Sequence, residues 1–163
     1  MFLPESFRPP KAGNRLRLHL PYSGSSAPLL AELAEQCAPL VVLCTQAAEA
    51  LRLRDALSFF APQYPSAYFP DWETLPYDPF SPHQDLVSQR LSTLWQLTQG
   101  KIALLFTSVT AATVRLPPPA FVAGRIFRYR VGDRLDPAAL SNQLEMAGYE
   151  PVAQVFRPGE YAV

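Results

Sequence analysis

The stretch with the most chemical promise is the turn Ser23-Gly24-Ser25-Ser26-Ala27-Pro28. It lies between an alternating segment and a helical one, where a phosphate-binding loop belongs in an α/β protein. A working loop needs glycines that let backbone N–H groups cradle phosphate, a lysine that neutralises it, and a hydroxyl that holds magnesium. Here one glycine remains, Ala27 stands in the lysine's place and Pro28 in the hydroxyl's. Without the lysine the phosphates lose their fixed point charge. The expected role is an ordinary strand-to-helix turn, a degenerate loop that binds no nucleotide.

Three other groupings offer chemistry that competes with a plain structural role. His83 with Asp85, Glu73 and Asp78 offers metal or acid–base ligands. Yet Gln84 and Asp85 fall in the first turn of a helix, where such groups serve capping and the helix dipole, and His19, the one other histidine, is distant in sequence. A structural role is expected. The loop Asp71 to Phe80 interleaves aromatics with prolines, which can stack bases. It carries three acids and no lysine or arginine, a composition that repels phosphate. A packed surface loop is expected, with protein contact as the next option. Arg125, Arg128, Arg130 and Arg134 cluster around one segment, and Arg128 and Arg130 share a strand face. A solvated face is the first reading, and a protein- or DNA-facing patch the second.

The elements that would position these residues follow from periodicity. Residues 1–13 are proline-rich without a period and form an irregular lead-in. Residues 16–20 alternate and suggest a first strand. Pro28 suits the first position of a helix whose apolar face carries Leu29, Leu30, Leu33 and Ala34, ended by Pro39. Residues 40–44 and 102–107 are continuous apolar runs, expected as strands buried on both faces. Residues 47–60 are helical, 67–69 a short strand, and 108–114 a short helix. Ser81 and Gln84 form a capping box with Pro82 at the first helical position, and that helix runs to about Gln96. Alternating strands and helices imply an α/β fold, a mainly parallel sheet with flanking helices. The run Pro117-Pro118-Pro119 closes it, so residues 1–119 form one domain. Residues 120–163 then begin a small α+β domain. It has a half-exposed strand at 124–130, a helix capped by Asp136-Pro137, and two strands around the turn Arg157 to Glu160, the last cut off by the chain end.

Composition sets outer bounds. The chain has 163 residues, 48% hydrophobic and 17% charged, enough for a sizeable core. Fourteen basic and fourteen acidic residues cancel, which argues against broad nucleic-acid contact. No apolar run approaches a membrane span, no signal peptide is visible, and Cys37 and Cys44 read as reduced core thiols. A cytoplasmic monomer is expected.

The string from Asp71 to Asp85 followed by Arg90-Leu91, and the earlier run Leu20 to Ser26, resemble the hallmark segments of bacterial transcription-repair coupling factors, Mfd. Residues Val131 to Leu135, Leu144, Gly148-Tyr149 and Gly159 to Val163 resemble the start of the domain through which UvrB and these factors bind UvrA. The resemblance implies a UvrB-like domain 1a with a degenerate P-loop, followed by the incomplete UvrA-interacting domain 2. It implies a parent that is an ATP-dependent DNA translocase. ATP and magnesium would belong to a motor downstream, as would the contacts to RNA polymerase and DNA, and this fragment would hold no cofactor or metal and catalyse nothing. Its implied role is to recruit UvrA to polymerase stalled at a lesion, in nucleotide excision repair. Arg157, Glu160 and Tyr161 are the implied partner-binding residues. Two departures stand out: the stretch from Phe69 to Ser81 is too short for UvrB's damage-probing hairpin, and the arginine-glycine pair that follows Val163 in the family lies beyond this chain. UvrB also has arginines where this chain has Pro151 and Ala162. A vestigial NTPase, a nucleic-acid-binding module and an autoinhibitory clamp on the parent motor are the rival readings.

Overall fold

The computed structural model describes residues 3, 7–18, 26–75, 77–123, 126–127, 129–157 and 159–162. They form two compact units, Met1–Pro119 and Ala120–Val163. The first unit is built on three parallel strands in the order β1-β3-β2, where β1 is Leu40–Cys44, β2 is Ser66–Phe69 and β3 is Leu104–Ser108. The register pairs Leu40 and Ser66 on either side of Leu104, and Thr107 with Leu43 and Phe69. β3 is central and all five of its residues are buried, as its unbroken apolar run requires.

Helices cover both faces. α1 (Ser26–Cys37) and α2 (Ala47–Phe60) lie on one side, where Ala34, Ala50 and Leu57 pack with Cys44, Tyr68, Leu104 and Phe106. α3 (Gln84–Thr98) covers the other, where Leu94 and Leu97 meet Phe69, Ile102, Leu105 and Ala111. The short α4 (Val109–Thr113) follows β3 directly, capped by Ser108, whose Oγ accepts from Ala111 N at 3.1 Å. The proline-rich lead-in is pinned down: Leu3 and Phe7 are buried against Leu29 and Leu33, and Leu3 N donates to Glu32 Oε2 at 2.7 Å.

Several expectations are corrected. Residues 16–18 form no strand, and Leu16 and Leu18 are exposed; residues 19 and 20 lie outside the described set. Alternation marks a face but supplies no cover, and a strand forms only where a neighbour takes its hydrogen bonds. β1 is buried on one face, not two: Val41 and Leu43 are 62% and 57% exposed, because α3 lies over β2 and β3 and leaves this edge strand bare. α1 starts at Ser26, two residues early; Pro28 fits there because the first-turn N–H groups have no helical acceptor anyway. The cap of α3 is His83, not Ser81, with its Nδ1 accepting from Asp85 N at 3.3 Å. The capping box therefore does not form.

In the second unit, α5 (Pro119–Ala123) is followed by α6 (Pro137–Met146), capped by Asp136, whose Oδ1 accepts from Ala138 N at 3.0 Å. The described residues between 124 and 130 form no strand; Arg125 and Arg128 lie outside them. Among the described residues the expected hairpin does not form either. β4 (Glu150–Pro151) and β5 (Glu160–Tyr161) pair in parallel, after Gly148, at φ 90°, has turned the chain. Val155 and Phe156 are exposed, so the segment meant as the first hairpin strand has no buried face to hold it in register.

Candidate functional site

Of the residues expected to form a degenerate phosphate loop, Ser26, Ala27 and Pro28 are the first residues of α1, and Ala27 is buried; Ser23, Gly24 and Ser25 lie outside the described residues. A buried methyl group thus occupies the place where the loop chemistry wants an exposed ammonium. His83 and Asp85 are exposed neighbours, Nδ1 to Oδ2 at 3.4 Å. Among the described residues no three His, Cys, Asp or Glu side chains come together as metal ligands. Cys44 is buried and Cys37 half-buried, its Sγ donating to Leu33 O at 3.0 Å. Burial pushes the Cys44 thiol up, and nearby Glu49 adds to this, so it is a poor nucleophile.

The most organised polar chemistry of the first unit sits where β2 leaves the sheet. Three successive carbonyls there accept from three buried side chains. Tyr68 O lies 3.4 Å from the Thr93 hydroxyl, which shares its proton with Gln89 O at 2.9 Å, Phe69 O takes the Thr107 hydroxyl at 2.9 Å, and Pro70 O the Arg90 guanidinium. Arg90 is only 2% exposed. Its guanidinium carbon lies 4.1 Å from the ring centroids of both Phe69 and Trp72, a cation held between two aromatic faces. Burial lowers its proton affinity, and Asp71 opposes that shift. Burial also pushes the Tyr68 phenol up, with Glu73 and Asp71 adding and Arg54 opposing.

This clamp fixes the start of the acidic aromatic loop. Asp71 Oδ1 accepts from Trp72 N at 2.8 Å, and Asp78 Oδ2 from Leu75 N at 2.7 Å, closing a turn with Asp78 N on Leu75 O. Glu73 and Tyr77 have φ of 57° and 75°, values that cost a residue with a Cβ and persist only where the surroundings hold them. The loop was expected to pack on the surface. Trp72 does, but Leu75, Tyr77 and Phe80 stand out into solvent. Between the loop, Pro82 and α4 lies a cavity of about 450 Å³, lined by Asp71, Trp72, Thr74, Leu75, Pro82, Thr110 and Val114.

The three residues that the resemblance singled out for partner binding, Arg157, Glu160 and Tyr161, lie in and just after one turn. Glu160 Oε2 accepts from Phe156 N at 2.8 Å and Arg157 N at 3.0 Å. These backbone bonds hold the Glu160 carboxyl below the usual range. Tyr161 donates its hydroxyl to Glu145 Oε1 at 3.0 Å, tying β5 to α6. Burial raises the Tyr161 phenol, and Glu145 adds to the shift. The Arg157 and Phe156 side chains are exposed.

No family model matches the chain. Whole proteins do. It is 43% identical to the transcription-repair-coupling factor of Escherichia coli (strain K12) over 98% of this chain. Those of Haemophilus influenzae and Myxococcus xanthus are 41% and 31% identical over 86% and 94% of it. The chain belongs to the transcription-repair-coupling factor family. It spans 14%, 12% and 13% of the length of these three relatives.

For a transcription-repair-coupling factor, the residue that sequence reasoning undervalued is Arg90. An arginine in an amphipathic helix reads as a surface residue. The usable signal was its spacing: Arg90 lies four residues after Leu86 and four before Leu94, so all three share the buried face of α3. Leu91, the next residue, is exposed instead. Arg134 and Arg130 are both exposed, and Arg130 N donates to Asp133 Oδ2 at 2.7 Å in a turn.

Proposed function

We propose that the chain is a non-catalytic protein-interaction module of a transcription-repair coupling factor, and that its second unit helps recruit UvrA. Family membership supports a part in transcription-coupled repair. The observation that carries the docking role is the turn at 156–160. One carboxylate holds two consecutive amides, so the turn is ordered before any partner arrives, and it displays an apolar ring (Phe156) beside a guanidinium (Arg157). Aromatic and arginine side chains are the ones that most often anchor interfaces, and ordering them in advance lowers the entropy lost on binding. Ala27, buried where a phosphate loop needs its lysine, supports a module that leaves nucleotide chemistry to other parts of the parent, together with DNA and RNA polymerase contact. No helix among the described residues is long and apolar enough to cross a membrane, which agrees with a cytoplasmic site of action.

The test is calorimetric titration of UvrA with this chain and with a version extended through the remainder of its second domain. The extended chain should bind, and Arg157→Ala should weaken that binding by roughly tenfold if the guanidinium is an anchor. Failure of both folded chains to bind would remove the recruitment role and leave the autoinhibitory clamp as the better reading.

A further inference from the structure

The cavity beside α4 is not used by the proposed UvrA contact, which lies on the other unit. We propose that it is a second docking site, for a protein segment in which one large apolar side chain is flanked by lysine or arginine. Three observations converge on that occupant. The cavity holds about 450 Å³, within the range of about 300–1,000 Å³ typical of binding pockets and ample for a large side chain with its flanking backbone. Its walls are largely apolar, made by Trp72, Leu75, Pro82 and Val114. It also opens beside the C-terminal ends of β2 and β3, where parallel sheets commonly place their ligands.

The rim supplies the second observation. Leu75, Tyr77 and Phe80 are 74%, 103% and 78% exposed. A single exposed apolar residue needs no explanation, but three large ones in one short loop beside a cavity mark a contact surface. The third observation is charge. Residues 71–89 contain Asp71, Glu73, Asp78 and Asp85 and not one lysine or arginine, in a chain whose formal charge is zero. The rim therefore attracts cationic flanks and repels nucleic-acid phosphate. The apolar anchor would sit against Trp72 and Val114, with its basic neighbours reaching the Glu73 and Asp85 carboxylates. Arg90 makes this surface pre-formed: stacked on Trp72, it holds the wall, and its charge is offset by Asp71, which leaves Glu73, Asp78 and Asp85 as the uncompensated acids of the loop and the following helix.

The test uses the full chain and three labelled probe peptides followed by fluorescence anisotropy. The first carries one central leucine between pairs of arginines, the second replaces the leucine with serine, and the third replaces the arginines with glutamates. Only the first should bind saturably. Val114→Trp, which plugs the cavity, should weaken it by roughly tenfold or more, as loss of a central anchor does. Glu73→Lys, on the exposed rim, should weaken it severalfold and make the residue less sensitive to salt. Thr110→Trp plugs the cavity from another wall and replaces Val114→Trp should that variant lose its circular dichroism signature. Equal binding of the serine probe, or undiminished binding to either plugged variant, would overturn the proposal. So would no binding to the folded parent, or self-association that the plugs abolish, which would assign the cavity to a second copy of the chain.

Discussion

Two irregular segments of this molecule are held in shape by opposite means. Where β2 ends, the chain is fixed from inside: buried Thr93, Thr107 and Arg90 each engage one of three consecutive carbonyls, and Arg90 also fills the space between two rings. At 156–160 the chain is fixed from outside, by the Glu160 carboxylate on two exposed amides. The difference lies in what happens when the side chain is removed. In the first case a buried carbonyl loses its partner at a position shielded from bulk solvent, and a void opens. In the second, water takes over the amides directly. An interior clamp contributes global stability, whereas a surface clamp sets local order.

The first way to break this comparison is Arg90→Met, which keeps volume and removes the donor. It should cost about 3 kcal/mol, summing a lost charged hydrogen bond and two ring stacks, read as a lower midpoint in urea denaturation at unchanged slope. A loss under a third of that would show that the guanidinium is solvated rather than clamped. Arg90→Lys should recover little of it, because an ammonium lacks the flat surface that stacks on Phe69 and Trp72. Next in size, Thr107→Val removes the buried hydroxyl bond to Phe69 O and should cost about 1–2 kcal/mol.

The surface clamp should show itself in pH rather than in global stability. The Glu160 carboxyl is depressed in the folded state. Its contribution is therefore present above the unfolded glutamate value of about 4.3 and disappears as pH falls through the lower folded value. The amide chemical shifts of Phe156 and Arg157 should titrate together with a midpoint below that value, and a midpoint at or above it would mean the carboxylate does not hold the turn. The smallest effect expected is from Tyr161→Phe. It removes the Glu145 bond at an exposed site and should alter local amide exchange near β5 while leaving the denaturation midpoint unchanged.

Sequence pattern revealed the parallel sheet through the apolar runs at 40–44 and 102–107 and the helical spacing at 47–60, because burial on a fixed period leaves a readable trace. It failed where the deciding partner is distant. Residues 16–18 alternate without cover, and Val155 and Phe156 look like strand residues yet have no face to bury. The acidic aromatic loop was legible from composition, and its exposed rings were a matter of three-dimensional arrangement. Arg90 was hidden for the same reason. What makes an arginine interior is two rings from other segments, Phe69 and Trp72, and neither is visible in helical periodicity.

Cys44 gives the molecule an internal clock. It ends β1, the strand whose outer face is bare, yet its own thiol is buried and held protonated. The thiol packs under α1 and α2 with Ala34, Ala50 and Leu57, so a thiol reagent reaches it when β1 and that helix layer part. With Cys37→Ser removing the second thiol, the modification rate of Cys44 reports that parting: at high reagent it measures the opening rate, and at low reagent the fraction of time spent open. A chain with one poorly covered strand carries, in that single sulfur, a direct readout of its own weakest seam.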